Sequence, residues 1–184
     1  MIDFSLTFQY YATCCTSQKY CNIYGMKLLL KNLLFTLIIP GTVAVYIPLL
    51  IVHGRLAGSM PILFVLGVLF LAAGTAIYAW TVLDFATFGR GTPLPLDAPK
   101  RLVVRGLYRY TRNPMYIGVF LLVLGWAGVF AEAWLLVYLA AAAVLVQVFV
   151  VLYEEPTLLR TFGAEYEAYR QSVGRWLPRL RSVR

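Results

Sequence analysis

Two short polar stretches hold most of the groups in this chain that could do chemistry beside apolar segments. They are Gly106-Leu107-Tyr108-Arg109-Tyr110-Thr111-Arg112-Asn113-Pro114-Met115-Tyr116 and Tyr153-Glu154-Glu155. Arginines, tyrosines and paired carboxylates brought together would bind a small charged molecule through charge-assisted hydrogen bonds and could hold or move a proton. Adjacent Glu154 and Glu155 point about 100° apart on a helix, so one faces inward and the other suits a tail arginine. Ionisable groups at or near hydrocarbon depth are functional candidates by default. The plainer alternative is an interfacial belt of Tyr and Arg laced with salt bridges. No metal site is expected: Cys14, Cys15 and Cys21 have no histidine near them, and His53 stands alone.

These stretches need a scaffold, and the composition says which kind. The 184 residues are 61% hydrophobic and 13% charged, with a mean hydropathy of +0.75. A soluble domain runs about 45 to 50% apolar and about 25% charged. So few charges cannot cover a water-soluble globule, and the apolar excess must face lipid. The fold class expected is all-α, a multi-pass integral membrane helical bundle of about four transmembrane helices with a C-terminal helical hairpin and a cytoplasmic cofactor pocket.

About 20 apolar residues cross a bilayer core. Leu33 to Val52 is the first such stretch, where Pro40 and Pro48 predict a kink. Pro61 to Leu83 is the second, with Gly67 and Gly74 spaced for close helix approach. Met115 to Leu152 carries a single charge, Glu132. As one helix it would be about 57 Å long, so it is read as a hairpin turning at Ala131-Glu132-Ala133, which places Glu132 in the opposite headgroup layer. Gly118, Gly125 and Gly128 would then pack on the alanine run Ala140 to Ala143. Three regions result: residues 1–25, an extension preceding Met26 as the expected native start; residues 26–83, the first two spans; and residues 84–184, with the transmembrane hairpin 115–152 and a cytoplasmic tail.

The net charge of +8 could signal nucleic acid, anionic lipid or topology. Twelve of the 16 Lys and Arg fall beside apolar spans, in 90–112 and 160–184, so these blocks are read as cytoplasmic flanks and no nucleic-acid partner is expected. By the positive-inside rule the active site and both termini lie on the cytoplasmic side.

The sequence Arg112-Asn113-Pro114-Met115-Tyr116-Ile117-Gly118, followed by Glu154-Glu155 and then by Phe162-Gly163-Ala164-Glu165-Tyr166-Glu167-Ala168-Tyr169, resembles isoprenylcysteine carboxyl methyltransferases and related phospholipid methyltransferases. Their signature is Arg-His-Pro-x-Tyr, paired glutamates, then Phe-Gly-x-x-Tyr. The resemblance covers roughly residues 84 to 178. It implies a membrane enzyme that uses S-adenosylmethionine to methylate a lipid-like or prenylated acceptor among membrane lipids. Its cofactor contacts would fall on Lys100, Leu102, Val103, Tyr108, Asn113, Pro114, Met115, Tyr116 and Glu154. Gly89-Arg90-Gly91-Thr92-Pro93 is similar to a Gly-x-Gly-Thr-Pro loop of bacterial relatives.

Two positions depart from the pattern. Asn113 stands in place of the usual His, so an amide replaces the imidazole. Val150 stands where eukaryotic members place a substrate-binding arginine, so the resemblance does not extend to that carboxylate partner.

Charge then assigns roles. Arg112 or Lys100, with the Asn113 amide, suits the cofactor carboxylate. Glu154 suits its ammonium or ribose hydroxyls, and Tyr108 and Tyr116 suit the adenine or the sulfonium. Arg112, Tyr116, Glu154 and Glu155 are the candidate catalytic residues. A carboxylate acceptor needs no general base, whereas an amine acceptor asks a glutamate to take its proton. The alternatives are a phospholipid amine N-methyltransferase, or a non-catalytic membrane module that keeps the fold. Gln147 is expected to bond another helix, Asp84 to be a boundary charge, and Phe162 to Tyr169 to form a short amphipathic surface helix.

Overall fold

The computed structural model describes residue 30 and residues 33–54, 60–85 and 102–177. Helix α1 is Leu33–Ile51, α2 is Pro61–Asp84, α3 is Pro114–Phe130, α4 is Ala133–Phe162 and α5 is Ala164–Ser172. Among the described residues there is no strand, only an isolated parallel bridge between Thr111 and Gly174. Helices α1, α2 and α4 are long and apolar enough to cross a membrane. Helix α3, with 17 residues, is about 25 Å long. The chain is a multi-pass membrane helical bundle.

Local chemistry sets the boundaries. Pro61 and Pro114 open α2 and α3 at first-turn positions where a missing N–H costs little. The α3–α4 hairpin turns where the lone charge indicates: Ala131 is left-handed at φ 50°, and the Glu132 carboxylate accepts the Trp134 N–H at 3.2 Å, capping α4. Glu132 is buried in that role.

The glycines of α3 pack elsewhere than on the alanine run. A Cβ on Gly67 would lie 2.5 Å from the Val129 nitrogen and 2.7 Å from the Gly125 oxygen, and one on Gly74 would lie 2.8 Å from the Gly118 oxygen. The closest seam of the bundle is therefore α2 on α3. The reason is register: Gly67 and Gly74 match the spacing of Gly125 and Gly118, so two backbones can touch, whereas each alanine of α4 keeps a Cβ between backbones.

The kink expected in the first span takes the form of a π turn at Thr42–Tyr46, just before Pro48. Pro48 brings no N–H to the preceding turn. Side chains from the hairpin take the carbonyls there: Trp126 Nε1 donates to the Ala44 oxygen and Tyr138 Oη to the Val43 oxygen, each at 2.9 Å. In lipid no water could do this. A second π turn, Val150–Glu154, precedes Pro156 in α4.

Beyond α4, Gly163 at φ 53° breaks the chain direction, so Phe162 ends α4 while Tyr166 and Tyr169 belong to α5. The expected Phe162–Tyr169 helix is thus split. Its apolar face survives, because Tyr166, Tyr169 and Val173 form one cluster with Leu102, Val104, Leu158 and Phe162 packed against it.

Candidate active site

The start of α3 and the end of α4 meet, and a strap formed by residues 173–177 ties them together. The strap runs beside the entry to α3: the Arg112 N–H donates to the Gly174 oxygen at 2.9 Å, and Asn113 Nδ2 donates to the Arg175 oxygen at 3.1 Å. The Thr111 hydroxyl lies 3.1 Å from the carbonyls of both Arg175 and Trp176. Asn113, buried at the N-terminus of α3, makes no side-chain cap there.

Glu154 and Glu155 divide as their helical angle requires. Glu155 faces two cations. Arg175 reaches it with Nε at 2.7 Å and a terminal nitrogen at 2.9 Å, and Arg112 reaches it at 3.0 Å. The Glu155 and Arg112 side chains are only 11% and 10% exposed, so this pairing is shielded from water and salt. Glu154 faces the other way and accepts the Tyr116 phenol at 3.0 Å. Arg112 also donates to the Tyr166 hydroxyl at 3.3 Å, yet its Nε is buried without a hydrogen-bond partner. Such an orphaned cationic donor costs free energy unless something anionic or carbonyl-like meets it.

The tyrosines stiffen the site. Tyr169 donates to the Tyr108 carbonyl at 2.7 Å, and Tyr108 meets Phe85 edge-on at 5.4 Å between centroids. Burial holds the Tyr108 phenol well above its ordinary range, with the nearby Glu154 charge adding to it. Burial likewise raises Tyr169, and it raises Tyr166 against the opposing pull of Arg112. All three phenols stay neutral near neutral pH. The turn carrying Tyr108 docks on the end of α2: Gly106 has φ +54°, and a Cβ there would collide with Asp84 Oδ2. Asp84 is accordingly buried against this turn rather than standing as a boundary charge.

A small cavity opens among Arg112, Asn113, Val150, Glu154, Leu158 and Tyr169. Of the residues expected from sequence, Arg112, Asn113, Glu154 and Glu155 line it, and Tyr116 joins it through Glu154. Pro114, Met115, Val103 and Tyr108 are buried in the supporting wall, and Leu102 packs on the Tyr166 cluster. Lys100 and the loop Gly89 to Pro95 lie outside the described residues. Sequence reasoning missed Thr111, Leu158 and Arg175 as site residues. Arg175 carried a signal, since a carboxylate turned away from the bundle needs a cation from the tail.

This is the geometry of the region that known proteins share with the chain. Residues 62–165, more than half of the sequence, match the phospholipid methyltransferase family. The chain belongs to that family. The matched range spans α2 to the start of α5 and takes in both polar stretches. Over 85 residues the chain is also 35% identical to Methanethiol S-methyltransferase 1 of Bradyrhizobium diazoefficiens, a match covering 46% of this chain and 29% of that protein. The chain thus spans less than a third of that relative's length. No solved structure matches. Among the described residues no cluster of His, Cys, Asp or Glu could hold a metal ion.

Proposed function

We propose that the chain is an S-adenosylmethionine-dependent methyltransferase acting on a hydrophobic acceptor at the cytoplasmic face of the membrane. The observation that carries this reading is the buried Arg112 with its orphaned Nε, set beside Asn113 and opposite in charge to Glu154. A donor bearing a carboxylate and an ammonium group fits that pair of charges. Arg112 and the second N–H of the Asn113 amide would hold the carboxylate. Glu154 would hold the ammonium or the ribose hydroxyls, and Tyr108 and Tyr116 would flank the adenine or the sulfonium. When bound, S-adenosylmethionine supplies an electrophilic methyl group. The cavity holds about 20 Å³, room for about one water, so donor binding must widen it. The placement of Lys and Arg supports the cytoplasmic side.

Val150, 1% exposed, presents an apolar wall where a carboxylate-binding arginine would stand. Amine and thiol acceptors, with ordinary pKa values of about 10 and about 8.5, must lose a proton. For such an acceptor Glu154 would act as the base instead of a cofactor ligand, taking the proton at Oε1, the oxygen that the Tyr116 phenol does not engage. Between these two acceptors, the name of the Bradyrhizobium relative favours a thiol. It is the second reading beside a lipid-borne acceptor.

Calorimetric titration of the detergent-solubilised protein with S-adenosylmethionine tests the proposal. Saturable binding at or below about 1 mM, lost in a Glu154→Gln, Tyr116→Ala double variant, is the expected result. A well-folded wild type that binds none would overturn it in favour of a non-catalytic module.

A further inference from the structure

Gln147 is an isolated amide in the apolar run of α4, surrounded by Val144, Leu145, Val146, Val148 and Phe149. An unpaired amide at that depth is costly. Its partner comes from the strap rather than from another helix: Trp176 Nε1 donates to Gln147 Oε1 at 2.7 Å. The indole also meets α3, lying 6.4 Å from the Tyr116 ring, edge-on, and 6.0 Å from Phe120, one turn further along. Trp176 therefore stands between α3 and α4, at the level where Tyr116 bonds Glu154.

A tryptophan that merely anchors a tail keeps its N–H at the headgroup layer and needs no amide from a membrane helix. Here the indole is fixed from both ends. Gln147 holds its nitrogen, while the Arg175–Glu155 ion pair and the backbone bonds of Gly174 and Arg175 hold the strap that carries it. Both neighbouring faces of α4 point to lipid, since Val144, Leu145, Val148 and Leu152 are exposed. An apolar chain reaching Tyr116 and Glu154 from the bilayer between α3 and α4 would meet the indole.

We propose that Trp176, pinned by Gln147, is a specificity-determining gate that admits acceptors with short apolar chains to the Tyr116–Glu154 site and turns away long ones. The proposal rests on the methyltransferase reading for what happens to an admitted acceptor, but the gate itself is a matter of bulk. One methylene more or less in an apolar pocket is worth about 10- to 200-fold, and an indole occupies the length of several.

The test uses the full chain in lipid nanodiscs and two photolabels: alkanethiols of about four and about twelve carbons, each with a terminal diazirine. Labelled peptides are mapped by mass spectrometry, and labelling of exposed Leu145 and Leu152 serves as the internal reference. In wild type the short probe is expected to label Phe120 and Val150, and the long probe to label only the lipid-facing residues. Trp176→Ala is expected to raise the long-to-short labelling ratio at Phe120 by about tenfold or more. Trp176→Phe and Gln147→Leu both break the pin while leaving a ring in place, so both should fall between wild type and Trp176→Ala. Equal ratios in wild type and Trp176→Ala, or long-probe labelling of Phe120 in wild type, would overturn the gate. So would failure of the short probe to label either site residue. Labelling needs no turnover, so an inactive protein still reads the gate. Short-probe labelling without methyl transfer, or without binding of S-adenosylmethionine, counts against the methyltransferase reading alone. A tail anchor without gating would leave the ratio in Trp176→Ala at the wild-type value, which would overturn the gate.

Discussion

Arg175 grips Glu155 with two parallel bonds, at 2.7 and 2.9 Å, from a strap 20 residues further along the chain. Arg112 shares the same carboxylate, so one buried anion serves two cations. Removing the anion leaves two arginines facing each other, whereas removing Arg175 leaves a pair. Glu155→Gln is therefore expected to cost about 3 kcal/mol or more, and Arg175→Met, whose side chain is a third exposed, about 1 kcal/mol. Denaturant unfolding in detergent checks the order. Equal costs for the two variants would show that Glu155 is not the hub.

Trp126 and Tyr138 take carbonyls beside a proline that has no N–H to give. Trp126→Phe should orphan the Ala44 oxygen and cost about 1 to 3 kcal/mol, seen as a lower melting temperature. Pro48→Ala restores an N–H to the helix, so the same substitution in that background should cost clearly less. This coupling is what a double-mutant cycle reads. Additive losses would mean that the tryptophan acts only by packing.

Much of this arrangement was legible from residue types. The spans, the hairpin turn at Ala131 and Glu132, and the split of Glu154 from Glu155 follow from apolar length, a lone charge and the helical angle. The partners were less legible, because contact between distant helices depends on register and not on composition. Gly118 and Gly125 could face either neighbour until the matching spacing of Gly67 and Gly74 was seen against them. Gln147 advertised a hydrogen bond but not that a tail indole would make it. Asp84 read as a boundary charge because nothing in its neighbourhood announced that Gly106, at positive φ, would turn against it.

The buried tyrosines predict a sign for the pH dependence. Tyr108 and Tyr169 have folded-state pKa values raised above the ordinary 10.0 by burial. Above pH 10 the unfolded chain releases these protons while the folded chain keeps them, so stability is full below about pH 10 and falls as pH climbs past it. Melting temperature measured from pH 8 to pH 11.5 should drop at the alkaline end. Tyr169→Phe should start lower, because the Tyr108 carbonyl loses its donor, and should fall less steeply. An unchanged slope in that variant would show that Tyr169 does not contribute.

The α2–α3 seam makes the sharpest claim about packing. A side chain at Gly67 would be driven into the backbone at Val129 and Gly125, at 2.5 and 2.7 Å from the first added carbon, and backbone cannot swing aside as a side chain can. Gly67→Val is expected to cost about 3 kcal/mol and to lower the yield of folded protein. Ala140 is exposed on α4, so Ala140→Val should fall within about 0.5 kcal/mol of wild type. Melting temperatures of the two variants in one detergent check this, and a Gly67→Val variant as stable as wild type would disprove the glycine contact.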